Sequence, residues 1–477
     1  MIQLTAAEVA AATGGRLSAD PEVRVSGPVV VDSRGVVPGA LFVALPGERV
    51  DGHDFASGAV EAGATLVLAA RELDVPCVVV DDVQAALGEL ARHVLATLRE
   101  RGDLRVVAVT GSVGKTTTKD LLGQLLREQG PTVVPQGSFN NEIGLPLTVL
   151  EADASTRFLV LEMGASGIGH LTYLTRIAPP DVSVVLTVGS AHLGEFGGIE
   201  GVARAKAEIV TGLAPGGTAV LNADDLRVVA MADVAPGEVV TFGTIPTADV
   251  RAEDLRIDRA GRVSFTLRVR GAGGSATTAP VALALVGEHH VTNALAAATA
   301  ALRLGVAVPD VAARLSGARA LSPHRMQVTD RPDGVTVIDD SYNANPDSMR
   351  AALKALAVVA GRDRRSVAVL GEMLELGDGA RAAHEEIGRL AVRLNIKLLV
   401  AVGDGAGGIH DGAVQEGSWG DETLFVPDVA TAAALLRDEL RPGDVVLVKA
   451  SNGSGLWRLG DELVAGAGGG GAQGASA

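Results

Sequence analysis

Val106–Thr118 reads VVAVTGSVGKTTT. A β-branched and apolar run, Arg105 to Val109, breaks into a glycine-bracketed loop, and the periodic leucines Leu121, Leu122, Leu125 and Leu126 follow it as one face of a helix. The order is strand, loop, helix. Across Gly111, Ser112, Val113 and Gly114 the backbone can turn so that its N–H groups converge, and the free amides opening the next helix add positive potential. A phosphate chain fits such a cradle, with Lys115 as a mobile cation, a hydroxyl from Thr116 for Mg²⁺, and Thr117 beside it. The pattern is a shortened phosphate loop, G-x-x-G-K-T-T, because Val109 stands where the longer form has its first glycine. A plain strand-to-helix turn would need the glycines but not Lys-Thr-Thr.

In an open parallel sheet, ligands gather at the carboxyl ends of the strands. Phe158–Gly164, FLVLEMG, is read as a buried strand ending in Glu162, and Val182–Val188 as another, followed by Gly189, Ser190, Ala191 and His192. Lys115, Glu162 and His192 are therefore expected to converge, with Glu162 as a metal ligand. Lys206 sits in a helix predicted from Ile199 to Leu213, where spacing alone favours a solvated surface lysine.

At 477 residues the chain exceeds one core and predicts about three domains. With 47% hydrophobic residues, 60 Gly and 3% aromatics, it is an α/β composition and not a disordered one. The net charge of -16 argues against general nucleic-acid binding, so an anionic ligand must meet local donors. Cys77 is the single cysteine, which excludes an intramolecular disulfide, and its apolar flanks predict a buried, inert thiol. No signal-like or membrane-spanning stretch is read, and the expectation is a soluble cytoplasmic protein, monomeric and without membrane insertion.

Three units are predicted: residues 1–101, 102–321 and 322–464, with a flexible Gly/Ala tail at 465–477. The first is a small α/β unit in which Asp32, Ser33 and Arg34 read as a solvated turn. The second is a doubly wound sheet around the phosphate loop. From Val250 to Leu285 its pattern alternates with the two-residue period of antiparallel strands, an insertion or edge hairpin. Asn293, in a helix from Val291 to Leu304, is either a surface residue or a base-reading amide. The third unit is a Rossmann-like sheet with strands at Val335–Asp339, Val367–Leu370, Leu398–Val402 and Val445–Val448. Polar clusters follow its strands: Asp340 to Pro346, Gly371-Glu372-Met373, and Lys449-Ala450-Ser451-Asn452. One such cluster is a capped helix start; several strand ends so marked predict a binding face.

Taken together, these stretches resemble the Mur ligases over nearly the whole chain. The family-wide parts are the D-S-R … P-G-A-L-F-V-A-L … D-G-H-D-F run of the first unit, TGSVGKTTTK, LEMGA, AHLGEFG, AKAEI, the H-x-x-N-A-L-A-A helix and PHR. FNNEIGLP from Phe139, DDSYNANPDSM from Asp339 and GEMLELG from Gly371 are similar to the members that join D-alanyl-D-alanine to UDP-N-acetylmuramoyl-tripeptide. His290 departs from the family's frequent asparagine, and Asn452 from its frequent arginine. The resemblance implies an ATP-dependent ligase working through an acyl phosphate, with two Mg²⁺ ions. It carries Thr116 and Glu162 over as magnesium ligands and His192 as a ligand of the second ion. Asn293, Arg325 and Asp340 become contacts to adenine, phosphate and ribose. Ser33 and Arg34 would meet the UDP group, Asn140 and Asn141 the growing peptide, and Tyr342, Asn343 and Asn345, with Lys449 nearby, the D-Ala-D-Ala dipeptide. Several members carry a carbamylated lysine at the position of Lys206. The third peptide residue, lysine or a diaminopimelate, is not readable. A different Mur step, a folylpolyglutamate synthase and a non-catalytic regulatory ATP-binding module are the rival readings.

Overall fold

Alternate residues of Arg105–Thr110 bury into opposite cores: Val106 and Ala108 join one apolar cluster, Val107 and Val109 another. A strand lined on both faces is the product of an unbroken β-branched run, and it needs layers above and below it. The computed structural model describes residues 1–47, 50–189, 196–417 and 420–466. Within them this strand lies inside a nine-stranded sheet. Its neighbours are Phe158–Glu162 and Val182–Val185, both parallel, with Glu162 opposite Val109 and Val185 opposite Thr110. The carboxyl ends of three strands thus lie side by side.

Thr218–Asn222 and Glu238–Gly243 extend the sheet in parallel, and Val250–Ile257, Arg262–Arg270 and Ala276–Val286 complete it as an antiparallel edge. The edge reading holds, with three strands hydrogen-bonded to the sheet and no separate insertion. The sequence reading missed the turn at Asp258–Gly261 because Asp-Arg-Ala-Gly carries only one glycine.

Residues 16–79 contribute a five-stranded sheet in the order Arg16–Ser18, Cys77–Val79, Leu66–Ala69, Leu41–Val43, Val29–Val30. Cys77 is fully buried in it, as expected. The helix Val83–Arg101 packs its leucines into the same apolar cluster as Val106 and Leu159, so the first sheet and the central sheet share a continuous core. Arg99 closes that junction, donating to Asp181 at 2.9 Å and to the carbonyl of Pro179 at 2.7 Å.

The third sheet has the order Gln327–Asp330, Thr336–Asp339, Val445–Lys449, Ser366–Leu370, Leu398–Val402, Thr423–Val426. Its four central strands are those predicted. Gln327–Asp330 and Thr423–Val426 were not, since edge strands half open to water lack a clean apolar run. The helices Gly407–Glu416 and Trp457–Ala465 were missed as well, the first because its two opening glycines read as a turn.

The strap between the second and third sheets is fastened to the phosphate-loop helix, Lys115–Arg127. Gln124 exchanges two hydrogen bonds with the backbone of Arg319, at 3.0 and 3.1 Å. Two residues before His324, the amide of Ser322 donates to Asp120 at 3.1 Å, while Asp120 is paired with buried Lys119 at 2.7 Å. The predicted Gly/Ala tail falls, from residue 467 onward, outside the described residues.

Candidate active site

The phosphate loop turns where its glycines permit. Gly114 caps the helix with φ of +85°, and a Cβ there would stand 2.2 Å from Oδ1 of Asn293. Only glycine allows both the left-handed turn and that approach. Asn293 is buried on the helix His290–Arg303, so the sequence alternative of a surface residue is excluded. Ser112 accepts a hydrogen bond from the amide of Gly189 at 2.8 Å, tying the loop to the end of the third strand. Nζ of Lys115 folds back and donates to the carbonyl of Gly111 at 2.8 Å. Burial holds its pKa below the usual lysine value, an effect opposed by the carboxylate of Glu162 and reinforced by Arg325.

Glu162 is fully buried at the end of its strand. One carboxylate oxygen accepts from Ser138 and from the side chain of Asn140, each at 2.7 Å. The other oxygen is buried and has no hydrogen-bond partner. Thr116 joins the same group through Ser138, 3.4 Å away. A bare buried oxygen on a carboxylate is expensive unless a cation fills the place in front of it.

Lys206 corrects the sequence reading most directly. Instead of pointing to solvent it is 5% exposed and lines the same cleft as Lys115 and Glu162. Burial, with Lys115 nearby, brings its pKa down to about 7. His192, expected beside it, lies outside the described residues.

The cleft has a volume of about 660 Å³ and is walled by the central and third sheets together. From the third unit it takes Arg325, Asp340, Tyr342, Asn343, Asn345 and Lys449. Arg325 stacks its guanidinium over the Tyr342 ring at 4.2 Å. Lys449 is buried and donates to Asp340 at 2.5 Å and to the carbonyl of Asn343 at 2.8 Å. The second oxygen of Asp340 accepts the amide of Met326 at 3.1 Å, so both are occupied by the protein.

Four amides expected to contact substrate line the cleft and also hold local structure. Asn345 caps the helix Pro346–Ala360 by accepting from the Ser348 amide at 2.9 Å, and Asn343 accepts the amide of Ala344 at 2.8 Å. Asn141, in the turn before the helix Gly144–Leu150, accepts from the amide of Gly144 at 2.9 Å. Asn140 holds Glu162. In the first unit Arg34 is clasped by Asp32 at 2.7 Å, which keeps the Asp32 carboxyl at about 2; neither Ser33 nor Arg34 is among the residues lining the cleft.

Among the lining residues not singled out from the sequence are Ser138, Glu142, His170 and His289. Ser138 and Glu142 border or fall within the FNNEIGLP stretch, where a run of small polar residues before a helix was the only signal. Burial lowers His289 to about 4 and His290 also falls, the two rings lying 4.1 Å apart.

Residues 28–95 match the description "Mur ligase family, catalytic domain", residues 109–301 "Mur ligase middle domain", and residues 324–452 "Mur ligase, glutamate ligase domain". The UDP-N-acetylmuramoyl-tripeptide–D-alanyl-D-alanine ligase of Mycobacterium bovis is 49% identical over 98% of this chain and 98% of its own length. The crystal structure of MurF from Acinetobacter baumannii is 32% identical, with a TM-score of 0.85 over 97% of this chain and 99% of that one. MurF ligase of Thermotoga maritima, solved in complex with ADP, is 31% identical, with a TM-score of 0.75 over 91% of this chain and 96% of that one. The phosphate loop, the bare carboxylate beside it and the likeness of all three units assign the chain to the Mur ligase family.

Proposed function

We propose that the chain is an ATP-dependent ligase that joins D-alanyl-D-alanine to UDP-N-acetylmuramoyl-tripeptide. The observation that carries this reading is the cleft itself, in which a phosphate loop, a buried carboxylate with one bare oxygen and three lysines meet between two sheets. The relatives named for this reaction match over their whole length.

Activation brings a carboxylate onto the γ-phosphate of ATP, anion against anion. Lys115 and Arg325, on opposite walls, supply the neutralising charge, and the loop amides hold the phosphates in line. The phosphoryl group moves to the tripeptide carboxyl, giving an acyl phosphate and ADP. The dipeptide amine then attacks the acyl carbon, a C–N bond forms, the C–O bond to phosphate breaks, and the amine's proton is lost as phosphate departs. Water must be kept from that intermediate, which requires the two walls to close over it.

The donor set fits Mg²⁺: Glu162 and Thr116 offer hard oxygens, and the bare oxygen of Glu162 lacks any protein donor. When bound, the ion neutralises phosphate charge. Lys206 as an ammonium could not serve as a ligand, but at a pKa of about 7 a large share of it is a free amine that can add CO₂. The resulting carbamate would be an oxygen ligand for a second ion, together with His192. Tyr342 and the Lys449–Asp340 pair form the wall against which the dipeptide is proposed to lie, and the turn at Ser33 and Arg34 the platform for UDP. No helix among the described residues is long and apolar enough to cross a membrane. We place the enzyme in the cytoplasm as a monomer of three domains, 1–101, 102–321 and 322–464.

ADP release by the purified chain tests the reading with three substrate sets: tripeptide nucleotide with D-Ala-D-Ala, dipeptide nucleotide with a diamino acid, and folate with glutamate. Turnover is expected only with the first, and free D-Ala should replace the dipeptide poorly. Equal rates with D-Ala would move the chain to another step.

A further inference from the structure

Glu142 lines the cleft and has no part in the chemistry above. Glu142 follows Asn140 by two residues, and Asn140 is fixed against the catalytic strand end from both directions. Its side chain donates to Glu162 at 2.7 Å, and its carbonyl accepts the amide of Gly164 at 2.8 Å. Glu142 therefore stands at the wall where the tripeptide carboxyl must be activated. Its side chain is 30% exposed, and one oxygen is hydrogen-bonded to Nε2 of His170. The other oxygen has no hydrogen bond among the described residues.

The proton on His170 can be placed from its second nitrogen. The backbone amide of Ser166 points at Nδ1 from 3.2 Å, and an amide can only donate, so Nδ1 is an acceptor. Nε2 then carries the hydrogen and gives it to Glu142. The Ser166 hydroxyl, 3.0 Å from Nδ1, adds a second fixed neighbour. Ser166 orients His170, His170 orients Glu142, and a carboxylate held this way presents its remaining oxygen at low entropic cost. Besides carboxylates such as Glu162 and Asp340, which are engaged by the protein, the cleft presents the cations Lys115, Lys206, Arg325 and Lys449. A fixed anion on the peptide side of such a cleft is suited to a cationic part of the substrate.

Resting on the ligase function proposed above, we propose that Glu142 is a specificity-determining residue that receives the side-chain ammonium of the tripeptide's third residue, with His170 as its positioning residue. That ammonium and the reacting carboxyl hang from one Cα, and the ammonium lies roughly 6 Å from that Cα when the side chain is extended. Glu142 and Glu162 line one cleft and are linked through the segment that begins at Asn140, so in the proposed arrangement the ammonium is set toward the first and the carboxyl toward the second. Lysine and diaminopimelate both supply this ammonium, so the subsite selects for an amine of that reach and against a neutral side chain of the same length.

Steady-state kinetics on three UDP-N-acetylmuramoyl-tripeptides, ending in lysine, diaminopimelate or norleucine, test this with ATP, Mg²⁺ and D-Ala-D-Ala. The wild-type enzyme is expected to show a KM for the norleucine nucleotide on the order of 10-fold above that of its preferred amine-bearing nucleotide. Glu142→Gln should raise the KM for that amine-bearing nucleotide to the norleucine level, and Glu142→Asp should keep part of the preference. A structural role alone would lower turnover of all three alike and leave their ratio unmoved. Equal KM values for wild type on all three nucleotides, or an unchanged ratio in Glu142→Gln, overturn the subsite while leaving the ligase reading standing. Turnover of none of the three by wild type overturns both.

Discussion

Lys206 shows how much a single side chain's environment can change its chemistry. A lysine of ordinary pKa is a cation that repels metal ions; buried beside Lys115 with its pKa near 7, it is a nucleophile toward CO₂. Lys206→Ala should be nearly inactive and should regain measurable ADP release with acetate at high concentration, whereas Lys206→Arg should not be rescued because its charge persists. Normal turnover by the alanine variant would sink the carbamate. His289 carries a pH dependence of stability. Its folded pKa of about 4 lies below the ordinary value of about 6.5, so between these the unfolded chain binds more protons. Its contribution is complete above pH 6.5 and is lost as pH falls toward 4, amounting to at most ~3 kcal/mol. His289→Asn should flatten the fall in melting temperature between pH 6.5 and 4.5, and an unchanged slope would show that His289 does not govern it.

At the scale of the element, the phosphate loop is a strand end, a left-handed glycine and a helix start acting together. Lys115→Ala removes charge at the phosphates but little packing, so ligation should fall on the order of 10² to 10³ while the unfolding midpoint holds. Gly114→Ala should do the reverse damage. Its methyl group would meet Asn293, and a left-handed turn costs a non-glycine residue about 1–2 kcal/mol. Calorimetry should show ADP affinity and melting temperature falling together; an alanine variant that binds ADP normally would place the loop elsewhere. Asn141 and Asn345 each accept a backbone amide through Oδ1, which fixes their orientation and leaves the Nδ2 hydrogens as their donors toward a ligand.

Over the whole molecule, the cleft exists only because the third sheet is held against the second. The strap at 319–322 is fastened to the same helix that begins with Lys115, and it ends three residues before Arg325. Binding of phosphate at one end of the helix and placement of Arg325 at the other wall are thus carried by one rigid rod. Gln124→Ala removes two of the fastening bonds, which costs on the order of 2 kcal/mol of stability. It should also lower kcat several-fold through Arg325, although Gln124 does not line the cleft. Full kcat in a variant destabilised by that amount would show the strap to be passive.

How much of this was legible in the sequence depends on the range over which each feature is decided. The phosphate loop, Glu162 at its strand end and the four inner strands of the third sheet were readable, because each is set by a few consecutive residues and a two-sided apolar run. Lys206 was not. In ARAKAEIV nearly every face of the helix is apolar or small, so periodicity could not mark which side would be covered. The pairing of Lys449 with Asp340 joins residues 109 apart, and that of Glu142 with His170 joins residues 28 apart. Nor could the sequence say which amides remain free for a ligand, since Asn140, Asn141, Asn343 and Asn345 read alike. The sequence by itself determined the inner strands, the loop and the family. Only the tertiary structure decided which polar groups are consumed by the protein and which face the cleft, because burial and hydrogen bonding are properties of neighbours that the chain brings together from afar.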